Sequence, residues 1–105
     1  MEYYDEELKR TFDIPFYENV SEDTLFNDFA DEVFESMFNS IKTIVNENLE
    51  QVPCMVINDT VLSTHKDTLI ENLEASMTHY TEIEDYEKCI KLQKLKEQFE
   101  KDITK

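Results

Sequence analysis

Between residues 22 and 50, apolar side chains recur at Leu25, Phe26, Phe29, Ala30, Val33, Phe34, Met37, Phe38, Ile41, Ile44, Val45 and Leu49. The steps alternate between three and four, which predicts one long helix with a wide apolar stripe. Ser21 is a suitable N-cap, and Glu22 and Asp23 in the first turn suit the positive end of the helix dipole. Pro53 ends the run, so the helix is expected to stop near Glu50 or Gln51. A second helix is expected over 65–81, with Leu69, Ile70, Leu73, Met77 and Tyr80 on one face. Thr64 and Asp67 before it have capping-box spacing. A third is expected over 85–102, with Tyr86, Cys89, Ile90, Leu92, Leu95 and Phe99 apolar. The short link from Thr81 to Asp85 predicts an antiparallel hairpin within 64–105.

Elsewhere the pattern is less regular. Residues 1–20 read as an acidic arm, with a short helix over Asp5–Phe12 carrying Leu8 and Phe12 on one side and stopped by Pro15. Tyr3, Tyr4, Ile14, Phe16 and Tyr17 are too many apolar groups for a solvated tail, so the arm is expected to pack on the domain or on a partner. Residues 54–62 are β-prone, and Asn58-Asp59 suits a turn. One strand, a small hairpin and an extended connector all fit. Because two strands alone are marginal, a packed connector over 52–63 is the expectation. The predicted class is therefore mainly α: one domain, 1–105, with a long helix over 22–50 packed on a C-terminal hairpin.

Composition narrows the chemistry. The chain has 105 residues, no Gly, no Trp and two Pro. Without Gly there is no Gly-rich phosphate loop, no dinucleotide fingerprint and no nucleophile elbow. Ten basic residues against 25 acidic ones leave a formal net charge of −15. That sign opposes direct nucleic-acid binding and adhesion to an anionic membrane. No apolar run is long enough to span a bilayer, and the acidic start after Met1 lacks the basic region of a signal peptide. Cys54 and Cys89 lack metal or redox spacing and read as reduced thiols of a cytoplasmic protein. Nine Lys to one Arg, with seven Asn, points to an AT-rich genome, a low-GC bacterium or one of its phages. For a phage protein the compartment is the host cytoplasm.

A local pattern in the last third carries a resemblance. Leu73-Glu74, Met77, Asp85-Tyr86-Glu87, Cys89-Ile90 and Leu92 lie within residues 69–101, about a third of the chain. This stretch resembles the UVR motif, the short helical hairpin of the UvrB and UvrC repair proteins. Asp85, Tyr86 and Glu87 match the opening of that motif's second helix, and Cys89 and Ile90 stand at its small pair. Lys91, Leu92 and Gln93 stand where a basic-Leu-basic triplet is usual. The chain departs from the pattern at Ile90, which is large, at Gln93, and at Leu95, which falls one residue early. The resemblance implies a protein-association hairpin, self-pairing included, without catalysis. Tyr86, Ile90, Leu92, Leu95 and Phe99 are its candidate contact residues.

No catalytic constellation, metal-ligand set or cofactor motif is legible. His65 and His79 are 14 positions apart, and the acid clusters lack the Gly and oxygen ladder of an EF-hand. Neither enzyme activity nor a cofactor is expected. The charge is uneven: residues 1–35 carry −10, residues 36–85 carry −7, and residues 86–105 carry +2. Glu22, Asp23, Asp28, Asp31, Glu32 and Glu35 are expected to form an acidic ridge on the long helix, opposite its apolar stripe. Such a field attracts basic surfaces and speeds association with them. The predicted function is a small acidic regulator or inhibitor that docks on a larger host, replication or transcription protein with a basic surface. Two alternatives are a DNA mimic that occupies a nucleic-acid site and a structural subunit of a homo-oligomer, a homodimer being the simplest.

Overall fold

The computed structural model describes residues 1–103 and has an α/β architecture, which corrects the mainly α expectation. The difference begins in the arm. Glu2–Asp5 (β1) and Arg10–Asp13 (β2) form an antiparallel hairpin, with Tyr3 opposite Phe12 and Asp5 opposite Arg10. Burial alternates along both strands, the period-two signature of a half-covered β-ribbon. At the turn, the Leu8 N–H donates to Asp5 Oδ1 (2.9 Å), and Lys9 takes a left-handed conformation (φ 54°). That side-chain turn replaces the expected helix over Asp5–Phe12. Arg10 then clamps the ribbon to the far end of α2 (Ala30–Glu47), with Nη1 and Nη2 donating to the Glu47 carboxylate at 2.6 and 3.0 Å. The guanidinium holds Glu47 below the usual carboxylate range. Both partners are exposed, so the pair is worth at most about 1 kcal/mol. Arg10→Ala is expected to leave the melting temperature nearly unchanged while raising hydrogen exchange in β1 and β2; equal exchange in both proteins would show that the ribbon is held by Phe12 and Ile14 alone.

The expected connector is a sheet. Phe16–Tyr17 (β3) runs parallel to Gln51–Ile57 (β4), and Thr60–His65 (β5) runs antiparallel to it, in the order β3–β4–β5. The arm thus supplies the third strand that a lone pair needs. Asn58 and Asp59 both have positive φ (48° and 67°) in the two-residue loop between β4 and β5, as a type I′ hairpin requires. The chain has no Gly, so Asn and Asp take left-handed positions that Gly often fills: Asn19, Asn48, Asn58 and Asp59 all have positive φ. A bulge at Cys54 interrupts the β4–β5 register between Pro53 and Met55. It turns Cys54 and Met55 toward the same core.

The long helix is two helices. Glu22–Asp28 (α1) ends at Phe29 (φ −124°, ψ 22°), whose ring meets Tyr17 with centroids 5.3 Å apart, and α2 starts at Ala30. Ser21 caps α1 as expected, its Oγ accepting from the Thr24 N–H (3.2 Å). The break lets Leu25 join Tyr17, Val33, Cys54 and Met55 in a small core. α2 ends at Glu47, where Asn48 adopts the left-handed C-cap. Its Phe38, Ile41, Ile44 and Val45 form the main core with Val52 of β4 and with Leu69–Glu82 (α3) and Tyr86–Ile103 (α4). β5 extends to His65, and a short 3₁₀ turn over Lys66–Thr68 leads into α3. Thr64 is therefore a buried strand residue, not a helix cap.

Candidate functional site

The helix layer does not cover the whole sheet. α2 packs along β4 and over Thr64 of β5, leaving the Thr60–Leu62 end of β5 open beside α1. The gap is an open cleft of about 530 Å³. Leu25, Val33, Met37, Cys54 and Met55 form its apolar floor, and Thr60, Leu62 and Thr64 line it from β5. Asn72 of α3 lines the opposite side. Phe26 and Leu62 also line the cleft and stay 45% and 44% exposed. Large apolar groups left this open beside a concave surface characterise binding sites.

Sequence-local features hold these walls. The Asn58 side chain bonds Val20 at both ends: its Nδ2 donates to the Val20 carbonyl (2.9 Å), and its Oδ1 accepts from the Val20 N–H (3.3 Å). This fixes the entry to α1 against the β4–β5 turn. Below the floor, Ser40 Oγ donates to the Met37 carbonyl (2.7 Å) and lies 2.6 Å from Thr64 Oγ1. The contact between the two hydroxyls ties α2 to β5. Burial pushes the Cys54 thiol up, although the Thr64 and Ser40 hydroxyls pull it back. A raised thiol is a poor nucleophile, so Cys54 contributes packing here. Among the described residues, Glu22 is the one charged group of the lining. Glu18 and Asp59 lie in an adjoining depression that shares Val20 and Asn58 with the cleft. Among the described residues, no Lys, Arg or His lines either surface.

The expected acidic ridge is dispersed. Glu22, Asp23, Asp28, Asp31, Glu32 and Glu35 are all exposed, but the break at Phe29 separates the first three from the rest. Asp31 and Glu35 face α3: Asp31 Oδ1 lies 3.2 Å from His79 Nε2, and both charges reach Tyr80. Glu32 leans the other way, toward Tyr17. His79 stacks on Phe34, with centroids 4.1 Å apart, and meets Tyr80 edge-on, so it belongs to the packing of α2 on α3.

The hairpin residues also divide. Leu92, Leu95 and Phe99 are core, whereas Tyr86 and Ile90 are exposed next to Ile83. Ile83, Tyr86 and Ile90 all lie at or within two turns of the α3–α4 link. Cys54 and Cys89 are both free thiols. Among the described residues, no three His, Cys, Asp or Glu side chains converge as metal ligands. None of the described helices is long and apolar enough to cross a membrane.

Sequence reading missed the cleft because its lining comes from five elements separated along the chain. Phe26 and Leu62 carried the available signal: one was absorbed into the apolar stripe and the other into a presumed connector. No family model matches the chain, and no curated protein or solved structure matches it.

Proposed function

We propose that this chain is a small acidic protein-binding module, cytoplasmic in setting, whose docking site is the cleft over β5. The carrying observation is the half-exposure of Phe26 and Leu62 at the cleft. Single exposed apolar residues are unremarkable, but two large ones beside an apolar concavity fit a surface awaiting a partner. The raised Cys54 thiol and the apolar lining suit binding better than chemistry. The dispersal of the α2 carboxylates favours an adaptor or inhibitor over a DNA mimic, which needs acids in one contiguous row. Regulation of a larger replication or transcription protein belongs to the same reading, with the acidic field steering a basic partner onto the site.

The exposed Ile83, Tyr86 and Ile90 favour one secondary reading, association through the UVR-like hairpin. Leu62→Asp and Phe26→Asp are expected to abolish capture of the partner at low salt and leave the melting temperature within a few degrees of wild type. Tyr86→Ala with Ile90→Ala is expected to leave capture intact. The reverse pattern would move the docking site to the hairpin tip.

A further inference from the structure

Resting on the docking reading above, we infer that the occupant of the cleft is a short basic amphipathic helix presented by a partner protein. The cleft overlies the face of a sheet, not its edge. β5 is the outer strand of the sheet, paired with β4 on one side, and Thr60, Leu62, Ser63 and Thr64 line the cleft where it lies over the face of that pair. An extended segment laid on that face would find no strand to pair with and would bury unpaired backbone groups. A helix satisfies its own backbone and needs only an apolar stripe. Sheets are covered by helices for this reason, and the uncovered face here lies among α1, α2 and α3.

The length agrees. The cleft runs along β5 from Thr60 to Thr64, about 16 Å at ~3.3 Å per residue. A helix of about 11 residues spans about 16 Å. Such a helix would place i, i+3/i+4 and i+7 side chains against Phe26, Leu62 and Met55.

Charge selects the sign of its polar face. Glu22 lines the cleft, and Glu18 and Asp59 lie beside its Val20–Asn58 end. Among the described residues no cation lines either surface, so an acidic helix would meet repulsion there. The net charge of −15 likewise disfavours a second copy of this chain and favours a Lys- or Arg-rich segment.

The test uses three synthetic peptides of about 14–18 residues, long enough to be weakly helical when free. One carries Leu at helical spacing with Lys on the other face, the second scrambles that composition, and the third replaces Lys by Glu. Binding to the full chain is read by fluorescence anisotropy and by the gain in helical circular dichroism. The basic amphipathic peptide is expected to bind at least about tenfold tighter than the scramble and to gain helix on binding. Leu62→Asp or Phe26→Asp should each weaken it by about tenfold or more. Glu22→Lys combined with Asp59→Lys should weaken it and flatten its salt dependence. Equal binding of the scramble, or unchanged binding by Leu62→Asp, would overturn the inference. Leu62-dependent binding of the Glu peptide would overturn the basic assignment and leave the cleft as a docking site, as would a Leu62-dependent dimer in sedimentation. If none of the three peptides binds the wild-type chain, the inference falls.

Discussion

Leu73→Ala is expected to lower the stability of this protein by about 2–5 kcal/mol. Leu73 is fully buried in α3, in the same core as Ile41 and Ile44 of α2 and Leu92 of α4. Truncation removes the transfer free energy of three carbons and leaves a cavity that three helices cannot close without moving together. Domains of this size hold only about 5–15 kcal/mol in total. With a shift of about 4–8 °C per kcal/mol for a domain near this length, the melting temperature should fall by about 8 °C or more, about the largest drop expected of any single truncation here. The measurement is a thermal melt followed by circular dichroism. A drop of only one or two degrees would show that α3 does not pack on α2 as described. Leu62→Ala in the same experiment should cost far less, because its side chain is already 44% exposed.

A marked loss of stability is expected in alkali, from two tyrosines. Burial raises the Tyr80 phenol to about 12, with Glu35, Asp85 and Asp31 adding to it. Burial and then the nearby Glu32 carboxylate raise Tyr17 as well, and its hydroxyl has no hydrogen-bond partner among the described residues. An unfolded tyrosine ionises near pH 10. Between pH 10 and 12 the unfolded chain therefore loses phenolic protons that the folded chain keeps, so stability is full below pH 10 and falls as pH rises through that window. Each unit of separation is worth about 1.4 kcal/mol per group. Urea midpoints between pH 8 and 12 should decline, and Tyr80→Phe should decline less steeply above pH 10. Parallel curves for wild type and Tyr80→Phe would show that the Tyr80 ring is not held in its buried, acid-flanked position.

The helical portions were legible where one face of one segment decides the matter. The three-and-four spacing from Val33 to Val45 is enough to orient α2, and Leu73 and Leu92 declare their faces in the same way. The N-terminal ribbon was misread because Leu8 and Phe12 have helical spacing, whereas the Asp5 side-chain turn and the left-handed Lys9 operate at a scale that apolar spacing does not record. The break at Phe29 was invisible for a related reason. No Gly or Pro marks it, and its cause is a ring contact with Tyr17, twelve positions earlier in the chain.

The acidic set shows the same limit in a functional feature. Carboxylates spaced along a helix predict a shared side only if the helix is continuous and its flanks are equivalent. Here one flank meets His79 and Tyr80 and the other meets Tyr17, so Asp31 and Glu35 part from Glu32. The seven Asn pointed to an AT-rich genome, yet Asn19, Asn48 and Asn58 sit at left-handed positions in a chain without Gly.

By itself the sequence determined the amphipathic helices, the excess of negative charge and the absence of Gly-dependent phosphate chemistry, because each follows from local periodicity or composition. Tertiary structure alone decided that Phe16–Tyr17 would complete a sheet with residues forty positions away, that Cys54 would bulge, and that α2 would cover β4 and leave the Thr60–Leu62 end of β5 open. Those outcomes depend on which surfaces meet. The cleft exists because one helix is too narrow to roof two strands, and no single segment of the chain carries that information.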